Sequence, residues 1–179
     1  PSLSSDVAHG KRDNIIETVR FSIRLTCFVC FPVTAGLFLT RHETVSILFE
    51  RGSFDAVSTS MTSTAVAFHI VGLTFIALSR IFVPVFYAFQ DTWRPVVAAF
   101  VSMVVNIACC YAFAPSFSQG GIALANSLSA LVQLGALMAV LSKHIQVRFD
   151  RKTTQSVLSS LVATAVMGGS VMLVQERLG

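Results

Sequence analysis

Four cysteines, four histidines and nine carboxylates are the groups in this 179-residue chain from which a metal site, a nucleophile or an acid–base pair would have to be built. Their spacing builds none of these. Cys27 and Cys30 form a C-x-x-C, but redox and zinc pairs of that spacing need a polar, accessible setting. This pair lies in an apolar run beside Phe28, Val29 and Phe31. Cys109 and Cys110 are adjacent in another apolar run, and all four read as small buried hydrophobes. His9, His42, His69 and His144 are scattered without metal-ligand spacing. No G-x-S-x-G, phosphate-binding loop or dinucleotide glycine motif is present. The carboxylates lie between apolar runs or at their ends, so no buried acid pair offers a proton relay. Neither catalysis nor a cofactor is expected.

The elements that hold these residues belong to a membrane. The chain is 54% hydrophobic and 12% charged, about half the charge of a soluble domain. A bilayer core needs about 20 apolar residues in helical form. Five segments meet that length: 21–40, 56–79, 96–114, 121–142 and 153–175. The fold expected is all-α, a polytopic transmembrane bundle, with residues 1–20 a cytoplasmic amphipathic segment and 176–179 a tail. Ile15–Arg20 should run as helix into the first span, and His42–Phe49 should lie in the interface, with Val45, Leu48 and Phe49 roughly on one face. The run 115–121, Pro-Ser-Phe-Ser-Gln-Gly-Gly, should be a tight turn. Asp91 or Thr92 can cap the third span, Pro95 suits its first turn and Trp93 the interfacial belt. Pro32 and Pro84 mark kinks. The sequence opens at Pro1 with neither initiator Met nor signal-peptide pattern, and reads as a piece of a longer chain.

Lysine and arginine set the orientation. With five crossings, one side collects Lys11, Arg12, Arg20, Arg24, Arg80, Arg94, Lys143, Arg148, Arg151 and Lys152. The other collects Arg41, Arg51 and Arg177. The N-terminus and the connections at 80–95 and 143–152 are therefore expected in the cytoplasm, and the C-terminus outside. The net charge of +4 carries no basic stripe interleaved with exposed aromatics, so nucleic acid is not an expected partner.

Few polar side chains fall inside the spans. His69 sits near the middle of the second and must face the bundle or a watery cavity. It reads either as a proton-sensitive lining residue or as a neutral imidazole bonded to a neighbouring helix, the commoner use of such groups. Asn106 and Gln133 are expected to bond across helices in the same way. Arg24, the only full charge inside a span, and Arg80, at the end of one, have the fork that suits a phosphate. Both also sit where a positive-inside anchor belongs. Small residues at Ala123, Ser127 and Ala130, and at Ala163, Met167 and Ser170 beside Gly168-Gly169, are expected to let helices pack closely.

Three stretches carry a family resemblance. Leu48-Phe49-Glu50-Arg51-Gly52-Ser53-Phe54-Asp55 lies between two spans. Arg80-Ile81-Phe82-Val83-Pro84-Val85-Phe86-Tyr87-Ala88-Phe89-Gln90-Asp91-Thr92-Trp93-Arg94-Pro95 is the most specific, and Pro1-Ser2-Leu3-Ser4 the weakest. Together they resemble lipid II flippases of the MviN/MurJ type, in the multidrug/oligosaccharidyl-lipid/polysaccharide exporter superfamily. The second stretch is similar to that family's P-x-F-Y-A-x-x-D-T-x-x-P run.

The resemblance implies that the five spans are helices nine to thirteen of fourteen, part of one lobe of a two-lobe transporter. It implies a bacterial inner-membrane protein of peptidoglycan biosynthesis and cell shape that moves lipid II, an undecaprenyl-diphosphate-linked precursor, between leaflets by alternating access. The implied partners are lipid II, membrane lipids and the N-terminal lobe outside this sequence. The candidates for the substrate path or gate are Arg24, His69, Arg80, Pro84, Phe86, Tyr87, Asp91, Thr92 and Pro95. Val85 departs from the pattern, which usually has Gly there. Another exporter of the superfamily and a non-transporting envelope scaffold are the other readings.

Overall fold

In a computed structural model, which describes residues 12–52, 54–143 and 150–178, six helices follow one another without a strand among those residues. They are α1 (Arg12–Leu39), α2 (Arg41–Phe49), α3 (Ala56–Ala88), α4 (Trp93–Phe117), α5 (Gln119–Leu141) and α6 (Arg151–Leu178). All but α2 are long and apolar enough to cross a membrane. Pro1–Ser4, His9, Lys11, Ser53, His144 and Arg148 of the sequence reading lie outside the described residues.

The apolar side chains outnumber the places in which to bury them. Phe28, Phe100 and Tyr111 stand out from the bundle with 63%, 60% and 82% exposure. A surface of that kind is untenable in water and expected against hydrocarbon. With the five long helices it makes the chain a multi-pass membrane protein.

The helices are joined in the lateral order α6, α1, α3, α5, α4, with α2 laid against the start of α3. The densest core lies at one end, where α1 begins and α3 ends. Ile15, Val19, Ile23 and Cys27, an i, i+4 row on α1, meet Phe82, Val85 and Phe86 of α3, Ala98 of α4, and Leu134, Leu137 and Leu141 of α5. At the other end, Gln175 of α6 donates to Glu43 of α2 at 3.1 Å.

Several connections are shorter than the sequence suggested. The loop expected over 80–95 contracts to 89–92, because α3 continues through Pro84 to Ala88. The run Ile81–Ala88 supplies core residues in helical register, and that packing outweighs the hydrogen bond that proline removes. Val85 is one of them, fully buried, so its side chain fills the core. Likewise α4 runs through Pro115 to Phe117. The reversal into α5 is confined to Ser118, whose φ of 50° turns the chain, so the seven-residue turn expected at 115–121 is a single residue. In α2 only Val45 is buried, while Ile47, Leu48 and Phe49 remain exposed.

The α2–α3 connection is held by carboxylates. Glu50 accepts hydrogen bonds from Ser46 at 2.6 Å and from Thr59 at 3.2 Å. Asp55 caps α3, its Oδ1 accepting from the Ser58 amide at 2.9 Å. That amide bond is the main cause holding the Asp55 carboxyl below its ordinary pKa. A depressed carboxyl contributes stability that is present above the ordinary carboxylate range and lost as pH falls through its folded value. Protection of the Ser58 amide, read as its exchange relative to the intrinsic rate at each pH, should therefore fall under acid, and Asp55→Ala should remove that change in protection.

Candidate functional site

Two features hold the residues singled out by the sequence. The first is a polar seam among α3, α4 and α5. Close approach makes it possible: Gly72 of α3 lies against Ser127 of α5, where a Cβ would stand 2.7 Å from Ser127 Cα. Ser127 Oγ donates to the Phe68 carbonyl at 2.5 Å. Ala123, Ser127 and Ala130 share this packed face, the latter two buried, as the small-residue spacing implied.

Across the seam the groups satisfy one another. Asn106 Nδ2 of α4 donates to Ser129 Oγ of α5 at 3.2 Å, and Ser129 Oγ donates to the Asn126 carbonyl at 2.8 Å. Ser102 Oγ donates to the Ser129 carbonyl at 2.9 Å. Asn126 Nδ2 lies 3.3 Å from His69 Nδ1, where the amide N–H donates to the ring. His69, Asn106, Asn126 and Gln119 then line a cavity of about 480 Å³ with Thr62 and Ile122. His69, on the exposed face of α3, thus bonds a neighbouring helix and lines this pocket.

Sequence reasoning picked His69 and Asn106 but missed Asn126 and Ser129. The signal was available, since both lie on α5 within one turn of the small-residue face. Gln133 was expected to bond across helices, yet it has no hydrogen-bond partner among the described residues. It sits a turn beyond Ser129 toward the apolar core, where no polar partner is presented.

The second feature is the joint between α3 and α4. Gln90 adopts φ 58°, and its amide donates to the Tyr87 carbonyl at 3.0 Å. The Asp91 amide donates to the Phe86 carbonyl, also at 3.0 Å. This pair is the Schellman closure of a helix C-terminus, formed here around glutamine in place of the usual glycine. A left-handed non-glycine costs on the order of 1 kcal/mol, so the joint stores some strain. Asp91 then serves α4: Oδ1 accepts from the Arg94 amide at 3.3 Å, and Oδ2 pairs with the Arg94 guanidinium at 2.9 Å. Thr92 makes no side-chain capping bond, so of the two candidate caps it is Asp91 that acts.

The remaining candidates divide by burial. Phe86 and Pro95 are buried in the bundle, while Arg80, Pro84, Tyr87 and Thr92 are exposed on it. Trp93 is 73% exposed, as a side chain of the interfacial belt should be. Arg24 belongs to neither feature; it lines a groove between α1 and α6. His69, Arg24 and the 80–95 run therefore do not converge on one site. On α6, Gly168 meets Leu39 at 3.5 Å from an added Cβ, and Met167 lies near Gly36 of α1. Ala163 and Ser170 are exposed, so the expected small-residue face of α6 is packed only in part. No group of three potential metal ligands occurs among the described residues.

Comparison with known proteins agrees with this architecture. The family model described as lipid II flippase MurJ matches residues 1–179. A probable lipid II flippase MurJ of Vibrio cholerae is 29% identical over 172 residues, 96% of this chain and 33% of that protein. Its counterpart from Rhizobium tropici is 26% identical over 99% of this chain and 33% of its own length. A solved lipid II flippase MurJ in an inward closed conformation superposes with a TM-score of 0.82 at 20% identity, over 96% of this chain and 35% of that one. The chain spans about a third of the length of these relatives. Matched over its whole length, it belongs to the lipid II flippase MurJ family.

Proposed function

We propose that this chain forms part of a flippase that carries lipid II from the inner to the outer leaflet of the bacterial cytoplasmic membrane. The family match from the first residue to the last is the observation that supports the reading. The physical need is plain: a sugar–peptide headgroup cannot cross about 30 Å of hydrocarbon unaided. A polar cavity shelters the headgroup while the lipid tail stays in the membrane, and basic groups hold the diphosphate. The N-terminal lobe outside this sequence completes the cavity, and membrane lipids surround the whole.

In this reading the end that carries the apolar core faces the cytoplasm, supported by the ten-to-three bias of Lys and Arg. The C-terminus of the chain faces outward. The α3–α4 joint then lies at the cytoplasmic surface and works as a hinge or gate, with Arg80, Pro84, Phe86, Tyr87, Asp91, Thr92 and Pro95 as its parts. A strained closure at Gln90 and one carboxylate serving the next helix give the joint few groups to rearrange when the two helices change angle. His69, at the cavity of the polar seam, is a second place where the path can be sensed.

Complementation tests the reading. The complete native coding sequence is expressed in bacteria depleted of their own lipid II flippase, and lipid II exposed on the outer leaflet is measured. Return of exposure and growth is the expected result. A protein that reaches the membrane while lipid II stays inside would overturn the cargo assignment. Asp91→Ala refines the test. Losing the α4 cap together with the Arg94 pair should cost roughly 1–2 kcal/mol, so lipid II exposure is read against the level of protein in the membrane. A fall in exposure well beyond the fall in protein level is expected of a hinge residue.

A further inference from the structure

α3 is the middle helix of the row, packed between α1 and α5. Four of its polar side chains share one face. Thr62, His69, Arg80 and Tyr87 fall at i, i+7, i+18 and i+25. At 3.6 residues per turn that places them within about 20° of one line. His69 and Arg80 are exposed along it, and Tyr87 is 53% exposed. Thr62 and His69 line the pocket of the polar seam. From His69, Arg80 lies about 16 Å and Tyr87 about 27 Å further along the axis, so the line runs the depth of a bilayer core. The opposite side of α3 presents Val57 and Val71, 65% and 50% exposed.

Hydrocarbon suits the second side and not the first, because an imidazole or a guanidinium is costly against acyl chains. The line carries no opposing charge. α3 has no carboxylate from Ala56 to Ala88, and α5 has none from Gln119 to Leu141. Asp91, beyond the end of α3, pairs with Arg94. Among the described residues Arg80 has neither ion pair nor hydrogen bond. His69 bonds there only through Nδ1, to Asn126.

We propose that this face of α3 is a water-lined wall of the transport path, along which an anionic, diphosphate-bearing headgroup travels. Arg80 meets the phosphates toward the cytoplasmic end, since a guanidinium fork fits them. His69 and Thr62 offer hydrogen bonds to the sugar–peptide part deeper in the membrane. A membrane-surface anchor would account for Arg80 alone, but not for His69 or for the line they share. A fixed ligand needs one pocket, whereas a cargo that crosses needs a continuous polar line. The inference rests on the transport reading and narrows it to one side of one helix. It leaves out Phe86, which is buried, and Arg24, which lines a different groove.

The test uses the complete native protein in bacterial membranes, with its cysteines replaced by alanine and single cysteines returned. A charged methanethiosulfonate, which attacks the thiolate formed in water, is applied from both sides. His69→Cys should be labelled, and Val71→Cys, on the lipid side of the same helix, should be spared. Undecaprenyl diphosphate should slow the labelling of His69→Cys, and undecaprenol, which lacks the charge, should not. Arg80→Gln should raise the diphosphate lipid concentration needed for that protection roughly tenfold, as for the loss of a charged hydrogen bond. Arg80→Lys should restore it, and the labelling rate without lipid checks that each variant is folded. No labelling at His69→Cys would give this face to another helix and overturn the proposal. So would labelling that undecaprenyl diphosphate leaves unchanged, or R80Q behaving as wild type. Protection by undecaprenyl diphosphate but not by lipid II would keep the wall and sink the cargo assignment, so the two readings fail separately.

Discussion

Phe86→Ala should destabilise the bundle by about 3–5 kcal/mol, the largest effect of any single truncation at the α3–α4 joint. Phe86 is 1% exposed and packs in the core with Val85, Phe82 and the leucines of α5. In a membrane the loss is chiefly of packing contacts, since lipid tails are as apolar as the core. The ring is not free to swing as a gate would; it is the fixed point around which the joint is built. Neighbouring Tyr87, 53% exposed, provides the contrast. Tyr87→Ala should leave stability nearly unchanged, so any transport defect it causes reports on function. Unfolding in mixed micelles, read by helicity or by cysteine accessibility at Cys27, checks both. A Phe86→Ala protein as stable as wild type would mean that the end of α3 is not packed as described.

Gly72→Ala is expected to cost about 1–3 kcal/mol through overpacking and to pull α3 away from α5. The added Cβ meets Ser127 Cβ at 2.9 Å and Ser127 Cα at 2.7 Å, and backbone cannot retreat as a side chain can. Displacing Ser127 also threatens its hydrogen bond to the Phe68 carbonyl. That shift would widen the cavity lined by His69 and Asn126, so transport and stability should fall together. Gly121→Ala is the parallel case, with the added atom 2.6 Å from the Phe113 carbonyl carbon at the α4–α5 reversal. Gly135 has open space around its Cβ position, and Gly135→Ala should be tolerated or slightly stabilising. The same unfolding measurement separates the three; equal behaviour at Gly72 and Gly135 would contradict the close contact.

Most of the fold was legible because hydrocarbon imposes a length and a polarity that sequence cannot hide. Five apolar runs gave five long helices. What was less legible were their ends. The end of the apolar run placed a loop from residue 80, and Pro with Gly placed a turn at 115–121, yet both helices run on. Burial of Val85 and Phe86 decides the first case, and burial is a tertiary property that no local rule contains. The polar seam was half legible. An isolated His69 or Asn106 in an apolar run announces a need for partners, but which partners depends on lateral order. Asn126 was read past because it sits among small residues that already had a packing role. Arg24 illustrates the opposite case: its charge within an apolar run was evident, while the groove that it shares with Lys152 needed α1 and α6 side by side.

The lateral order α6, α1, α3, α5, α4 has a consequence for how the chain is made. α3 and α4 are consecutive in sequence yet scarcely touch, because α5 lies between them. A nascent chain that has released α4 into the bilayer holds Ser102 and Asn106 without the α5 groups that will receive them. Only when α5 follows, folding back at Ser118, can that helical hairpin close its own polar bonds and wedge against α3. α6, the last of the described helices to emerge, then returns to α1, the first. Assembly of this part of the protein is thus out of step with synthesis. Between the release of α4 and the arrival of α5, the half-made bundle depends on whatever in the insertion machinery can shelter a polar helix face from lipid.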